Sequence, residues 1–312
     1  MAKKIQKILI TGGLGHIGSA LIRNLSKNIA KEVIILDSLE SRRFPSLFDL
    51  PKGFKFKFFK EDILTANFNK YLSGVDIVIH LAAINYHEDG YKYPKKIEAE
   101  NYLGLKKVAD ACLTSGVKLL FPSTTSVYGS RAISVDEEST LKPQSPHAES
   151  KFNCEKYIEK LGKKGLKYVI CRFGTIYGFS VGMRFDTAVN KFVWQAVNGF
   201  PLSVWNTAWK QKRPYLYLLD AINAINFIIE KDLFNDQIYN VLTENFAVKD
   251  VVKTIKQYIP KLKVEYTRSP LMNNLNYEAN DDKFRSLGFK TSGKLKIGIK
   301  ETVDQLKGII RN

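Results

Sequence analysis

The chain reads as an α/β protein, a doubly wound parallel sheet followed by a smaller C-terminal lobe. Three observations predict this. A short apolar strand, Ile5 to Thr11, runs straight into a glycine-rich turn and a helix-patterned segment. Strand and helix patterns then alternate as far as Gly174, the rhythm of parallel strands joined by helical crossovers. Beyond Gly174 the elements shorten and the alternation stops.

Each element has its own signal. Ile5 to Thr11 is a compact apolar run, and Ser19 to Leu25 has helical spacing. Glu32 to Asp37 is a second strand that ends in an acid. Phe54 to Phe59 alternates Phe and Lys, the period of a strand with one buried face, and is the third. Val75 to Leu81 is the fourth. A helix is expected over Pro94 to Ser115, a fifth strand from Lys118 to Phe121, a helix from His147 to Leu161 and a sixth strand from Tyr168 to Arg172. In the second part, Met183 to Trp194, Leu219 to Ile229, Val248 to Tyr258 and Lys294 to Ile309 have helical spacing. Gln237 to Val241 is strand-like, and Trp205, Trp209 and Pro214 stand in loop-like surroundings. The expected division is a dinucleotide-type domain over 1–174, with a return segment near 215–241, and a smaller lobe over 175–312.

Composition narrows the function classes. No apolar run approaches the roughly 18 residues of a membrane-spanning helix, and Met1-Ala2-Lys3-Lys4 lacks the apolar segment of a signal peptide. The three cysteines, Cys112, Cys154 and Cys171, are far apart and odd in number, which suits neither a metal centre nor a disulfide framework. A cytoplasmic location, no metal and no membrane contact are the expectations. The net charge of +17 would suit an anionic partner, but the lysines are scattered, so a solvated basic surface is preferred over nucleic-acid binding.

The chemistry begins at Gly12-Gly13-Leu14-Gly15-His16-Ile17-Gly18. After a strand and before a helix, Gly12 lets the turn form, Gly15 lets the backbone approach a pyrophosphate, and Gly18 lets helix and strand pack closely. His16 and Ile17 lie in this loop as it opens the helix, whose unpaired N–H groups face the anion. Asp37 follows at the end of the second strand, about twenty residues on, where an acid accepts the adenosine ribose hydroxyls. It repels a 2′-phosphate, so NAD is expected rather than NADP, with Arg42 and Arg43 pulling the other way. This is the Rossmann-like arrangement. A second centre is Pro143-Gln144-Ser145-Pro146-His147-Ala148-Glu149-Ser150-Lys151, in which His147 and Lys151, four apart, share one helical face. Thr124 ends the fifth strand on the carboxyl edge, where ligands of such sheets bind.

Jointly these motifs resemble the extended short-chain dehydrogenase/reductases, in their NAD-dependent nucleotide-sugar epimerase and dehydratase branch. The resemblance runs through Thr11-Gly12-Gly13-x-Gly15-x-Ile17-Gly18, Glu61-Asp62-Ile63, His80-Leu81-Ala82-Ala83, Asn101, Ser123-Thr124-Thr125-Ser126-Val127-Tyr128-Gly129 and Arg213-Pro214-Tyr215, nearly the whole chain. It implies that Asp62 and Ile63 lie by the adenine, that Leu81, Ala82, Ala83 and Asn101 line the cofactor, and that Lys151 binds the nicotinamide ribose. It implies Thr124 as the hydroxyl that holds the reacting sugar hydroxyl. Thr125, Thr175 and Arg213 would face the nucleotide sugar, with Thr175 standing where an Asn is common.

The pattern departs from the family at one decisive place: His147 stands where the family has its acid/base Tyr. An imidazole starts near pH 6.5 rather than the phenol's 10, so it needs less help to act as a base. Three readings stay open: a working base in a shifted pose, an engineered substitution that stops turnover, or a natural protein whose reaction has been lost or changed. Thr125 and Ser126 occupy the positions of an Asp-Glu pair in the sugar 4,6-dehydratases, and hydroxyls cannot replace carboxyls in that acid/base work. The expected activity is therefore C4 epimerisation by transient hydride transfer. The alternatives are a dehydratase, decarboxylase or reductase of the same fold, or an inactive NAD-binding variant. A homodimer is implied, built from the helices at 94–115 and 147–161.

Overall fold

The computed structural model describes residues 5–26, 29–84, 93–130, 134–268 and 276–308. In chain order it has β1 (Lys7–Thr11), α1 (His16–Asn24), β2 (Glu32–Asp37), β3 (Lys55–Lys60), α2 (Asn69–Leu72), β4 (Ile77–His80), α3 (Pro94–Glu98), α4 (Gly104–Ser115), β5 (Lys118–Thr124), β6 (Ser134–Val135), α5 (Pro146–Gly162) and β7 (Tyr168–Phe173). Then follow β8 (Thr175–Tyr177), α6 (Ala188–Val197), β9 (Leu202–Trp205), β10 (Lys212–Tyr217), α7 (Leu218–Glu230), β11 (Gln237–Val241), β12 (Glu244–Ala247), α8 (Val248–Tyr258), β13 (Val264–Thr267), β14 (Glu278–Ala279), α9 (Asp282–Arg285) and α10 (Leu295–Leu306). The Met1 to Lys4 start and the last residue of the expected Lys294–Ile309 helix lie outside the described residues.

Seven strands form one parallel sheet in the order β11-β7-β5-β4-β1-β2-β3. Successive side chains of β1 alternate between its faces. Ile8 and Ile10 join a core with Leu21 of α1 and Ile225 of α7, while Leu9 joins one with Val108 of α4 and Ile158 of α5. Burial on both faces explains the unbroken apolar runs of the central strands. Chain order reverses between β1 and β4, so a crevice opens at their carboxyl ends. Thr11, His80 and Thr124 all end strands along that edge.

The Phe/Lys alternation of β3 has a plain cause. The strand lies at the sheet edge, Phe56 and Phe58 pack inward, and Lys57 pairs with Glu32 of β2 at 3.0 Å. Edge lysines of this kind also discourage pairing with another chain.

The structure differs from the sequence expectation in three places. The helix expected over 94–115 is broken by a π-helical turn, Ala99–Leu103, which carries Asn101. The helix expected from Met183 begins only at Ala188. The intervening residues are held by Arg184 bonding Asp186 at 2.7 Å, and by Asn190, which accepts from the Gly178 N–H and donates to the Arg184 carbonyl. Finally, Trp205 and Pro214 lie in strands, not loops. Pro214 is paired to Asn245 on one side only, since the β8 pairing starts at Tyr215 opposite Thr175, so its missing N–H is tolerated.

The chain after β7 builds a three-stranded sheet, β12-β10-β8, over a separate apolar core that includes Val193, Val251 and Ile299. Between β10 and β12 it returns to the large sheet through α7 and β11.

Candidate active site and cofactor cleft

The glycine turn is shaped by steric necessity. Gly12 has φ +67°, and a Cβ there would stand 2.5 Å from the Ala82 nitrogen. A Cβ on Gly18 would stand 2.6 Å from the Gly12 carbonyl oxygen. The turn, the start of α1 and the 81–83 segment can therefore be this close only with glycine at both places. Gly15 is the N-cap of α1 and the helix start has no side-chain cap, so its first N–H groups are available to an anion. Gly12, Gly15 and Ile17 keep some exposure along this turn.

Asp37 stands over the turn. Its Oδ2 accepts from the Leu14 N–H at 3.0 Å and its Oδ1 from the Leu39 N–H at 2.9 Å. Each carboxylate oxygen has further lone pairs for ribose hydroxyls. An uncapped helix start, a turn closed to side chains and an oriented carboxylate fit a dinucleotide such as NAD.

The rest of the cleft is placed by the neighbouring strands. Leu81 donates to the Thr11 carbonyl at 3.0 Å and the Ala82 N–H meets Thr11 Oγ1 at 3.4 Å, with Ala83 exposed beyond them. Beneath them His80 is buried, its Nδ1 2.7 Å from Thr11 Oγ1. Burial, helped by the charge of Lys151, pushes its pKa down to about 3, so it is neutral. Asp62 is exposed after β3 and accepts from the Leu64 N–H at 2.8 Å, while Ile63 is buried against Gly104.

His16 is buried in the first turn of α1. Its Nδ1 lies 2.8 Å from Ser180 Oγ, and burial, with Arg184 and Arg43 adding to it, pushes its pKa down to about 3.

The second centre is built on α5. Ser145 caps the helix, its Oγ accepting from the Ala148 N–H at 3.2 Å, and Pro146 follows at a position where its missing N–H costs nothing. This sets His147, half-buried, in the first turn and Lys151 one turn on. Lys151 is 6% exposed; its Nζ donates to the Pro122 carbonyl at 2.9 Å and lies 4.4 Å from the centre of the Phe121 ring. Its ammonium is thereby seated at the end of β5, two residues from Thr124. Burial pushes its pKa down to about 8.

Thr124 is half-buried at the strand end, its Oγ1 accepting from the Ser126 N–H and donating to Ser126 Oγ, each at 3.2 Å. Thr125 turns inward, where its Oγ1 accepts from the Tyr277 hydroxyl at 3.1 Å and donates to the Phe173 carbonyl at 3.4 Å.

Asn101 ties the two centres together. Its Oδ1 accepts from the Ile84 N–H at 2.8 Å, and its Nδ2 donates to the Ile84 carbonyl at 3.0 Å and to Ser150 Oγ at 3.1 Å. Ser150 Oγ in turn donates to the His147 carbonyl at 2.9 Å. A π-turn at a functional position is a recurrent device. The amide shown here holds backbone rather than pointing freely into the cleft.

On the second lobe, Thr175 lies in β8 opposite Tyr215, and Arg213 stands two residues earlier on β10, half-buried, with Nη2 3.4 Å from Gln211 Oε1.

Sequence reading overlooked Ser180, Tyr277 and Glu155. Glu155 lies four residues after Lys151 and so carried a signal. Ser180 and Tyr277 reach the site from 164 and 152 residues away from their partners and carried none. Among the described residues, no group of three or more His, Cys, Asp or Glu could hold a metal ion, and no helix is long and apolar enough to cross a membrane.

What the arrangement offers is a hydroxyl, an imidazole and an ammonium on the carboxyl edge, two strands from a dinucleotide turn. That set suits removal of a proton from an alcohol as its carbon is oxidised.

Residues 8–241 match the model of the NAD dependent epimerase/dehydratase family. The chain is similar to the uncharacterized UDP-glucose epimerase YtcB of Bacillus subtilis, 31% identical over 80% of this chain and 81% of that protein. It is also similar to the dTDP-D-glucose 4,6-dehydratase of Dictyostelium discoideum, 32% identical over 80% of this chain and 62% of that one. Among solved structures, a mutant UDP-glucuronic acid 4-epimerase of Bacillus cereus, in complex with UDP-4-deoxy-4-fluoro-glucuronic acid and NAD, superposes with a TM-score of 0.90 at 26% identity, covering 97% of this chain and 99% of that one. The UDP-N-acetylglucosamine 4-epimerase of Methanobrevibacter ruminantium gives 0.85 at 25%, covering 97% and 98%.

Proposed function

As a member of the NAD-dependent epimerase/dehydratase family, the chain is an NAD-dependent enzyme of nucleotide sugars, and we propose that it interconverts C4 epimers of a UDP-linked sugar. The observation that carries this reading is the seat of Lys151, whose ammonium is bonded to the Pro122 carbonyl beside Thr124 while His147 stands one helical turn away. The UDP-sugar 4-epimerases that the chain resembles support the choice of UDP and of C4.

NAD supplies, when bound, an acceptor that takes a hydride from the sugar carbon and can return it. Gly12, Gly15, Gly18 and Asp37 hold the dinucleotide, with His16 and Ile17 at the helix start and Asp62, Ile63, Leu81, Ala82 and Ala83 along its flank. Thr124 orients the sugar hydroxyl. In this reading His147 has taken over from the family's Tyr: its imidazole takes the hydroxyl proton as the alcohol is oxidised and gives it back on reduction. Lys151 favours the neutral imidazole by its charge, since only that form accepts a proton. Arg213 meets the pyrophosphate, its planar fork matching phosphate oxygens, and Thr175 lines the sugar side, whereas Thr125, expected there too, is buried with its hydroxyl bonded to Tyr277 and the Phe173 carbonyl. Thr125 and Ser126 follow Thr124 in place of a carboxyl pair, and hydroxyls cannot supply the acid and base that elimination of water needs, which disfavours dehydration.

The division into a cofactor part over 1–174, with the return segment near 215–241, and a substrate lobe over 175–312 belongs to the same proposal. So does a cytoplasmic homodimer built on the helical stretch 94–115 and on α5, which carry the exposed Leu103 of the π-turn and the edge-on pair Tyr102–Tyr157.

The test is to incubate the purified protein with UDP-glucose, UDP-glucuronic acid and UDP-N-acetylglucosamine and look for the C4 epimer by NMR. His147→Ala should lower turnover by about 10²–10⁴ while NAD stays bound. No epimer from any of the three, with NAD bound, counts against the reading.

A further inference from the structure

The ion pair between Arg172 and Glu155 is almost fully buried, with side chains 4% and 2% exposed. Such pairs are seldom the cheapest way to fill a core, because desolvation offsets the attraction. What this one holds together gives it a second role. Glu155 lies one helical turn after Lys151 on α5, so the two share a helix face. Its Oε1 accepts from Ser123 Oγ, and Ser123 is the residue before Thr124. One carboxylate thus joins the helix that carries His147 and Lys151 to the strand end that carries Thr124.

The carboxylate itself has little freedom. Arg172 Nε donates to both its oxygens at 3.2 Å and Nη2 to Oε2 at 2.8 Å. Arg172 Nη1 donates to the Tyr128 hydroxyl at 2.9 Å, which donates to Asn240 Oδ1 at 2.7 Å. The Asn240 N–H then meets Glu137 Oε1 at 2.6 Å. Neighbouring strands β5, β7 and β11 therefore all contribute to fixing one group on α5.

We propose that Glu155 is a positioning residue for the reaction: it clamps the end of β5 to α5, fixing Thr124 relative to His147 and Lys151, and is the anion that supports the Lys151 ammonium. This rests on the roles given above to those three residues.

The groups around Lys151 agree with it. His147 and Cys154 share its helix, His80 approaches from β4, and the Phe121 ring and Pro122 carbonyl come from β5. His80 is held neutral by burial, and burial pushes the Cys154 thiol up to about 12, so neither is charged near neutral pH. Glu155 also acts to raise the Lys151 pKa, and it is the carboxylate held in the buried ion pair with Arg172.

Two variants separate the parts. Ser123→Ala keeps the ion pair and removes only the strand contact. Its kcat should fall roughly tenfold to a hundredfold, the scale of a small misplacement, with KM and NAD affinity little changed. Glu155→Gln removes the charge. In protein labelled with ¹⁵N and ¹³C at lysine, NMR titration should place the Lys151 transition below that of the parent, whereas Ser123→Ala should leave it in place. An unchanged kcat in Ser123→Ala together with an unshifted Lys151 transition in Glu155→Gln would overturn the proposal and leave a purely structural ion pair. If Glu155→Gln does not fold, Glu155→Asp, which keeps the charge and shortens the reach, should reproduce the kcat loss of Ser123→Ala; parental kcat in both would overturn the clamp. If the parent turns over no UDP-sugar, the function reading has failed by itself, and the Lys151 titration still decides the charge role.

Discussion

His16 Nδ1 and Ser180 Oγ lie 2.8 Å apart although 164 residues separate them. One belongs to the dinucleotide turn and the other to the segment that leads into α6. Beside them the Gly182 N–H donates to Ser19 Oγ at 2.9 Å. The stretch from Ser180 to Gly182 is thus a strap tied by two buried hydrogen bonds to the first turns of α1, beside the proposed cofactor turn.

Gly182 makes that contact testable. A Cβ there would stand 2.4 Å from the Leu14 carbonyl oxygen and 2.7 Å from that of Gly15. Gly182→Ala must displace either the strap or the turn, and overpacking of this kind costs about 1–3 kcal/mol. Both thermal stability and NAD affinity should fall, as read by calorimetry on the same sample. Parental NAD affinity in a folded Gly182→Ala protein would separate the strap from the cofactor site.

His16 and His80 set a pH dependence. Both have folded pKa values near 3, lowered by burial, against about 6.5 in the unfolded chain. Between those values the unfolded state binds more protons, so stability is full above pH 6.5 and falls as pH drops through the window. Each histidine should cost about 1 kcal/mol between pH 6.5 and 5.5. Urea unfolding at the two pH values should show the loss, and His80→Gln should remove about half of it. A difference between the two pH values that His80→Gln leaves unchanged would assign the acid sensitivity elsewhere.

In the proposed reading Asp37 sets cofactor choice. Its two oxygens are oriented by the Leu14 and Leu39 N–H groups, and hydrogen bonds to a charged acceptor contribute about 1.5–3 kcal/mol each. Asp37→Ala should weaken NAD binding roughly tenfold or more and narrow the gap between NAD and NADP, because the repelling charge is gone. Titration of both cofactors into both proteins checks this; a parent protein that prefers NADP would contradict it.

What could be read from the sequence was local. The glycine turn, Asp37 and the His147–Lys151 spacing depend on residues within one strand–turn–helix unit or one helical turn, and their chemistry follows from that spacing. The central strands were legible because burial on both faces leaves them almost wholly apolar. The π-turn at Asn101 was not, and the bonds its side chain makes reach the Ile84 backbone and Ser150 on other elements. Pro214 argued against a strand, and only the one-sided pairing of β10 at that residue makes it tolerable. The delayed start of α6 goes with the Asn190 bonds to Gly178 and Arg184, and Tyr277 reaches Thr125 from the far end of the chain. The spacing of Glu155 from Lys151 was legible, but its role depends on Ser123 and Arg172, which come from other strands.

In the proposed reaction this site oxidises a UDP-sugar at C4 and returns the same hydride to the opposite face. The most direct test uses UDP-glucose or UDP-glucuronic acid carrying deuterium at C4, with the products read by NMR and mass spectrometry. The expected product is the C4 epimer with deuterium still at C4 and no change in mass. A product lighter by one water, or an epimer whose C4 has lost its deuterium to solvent, would contradict it.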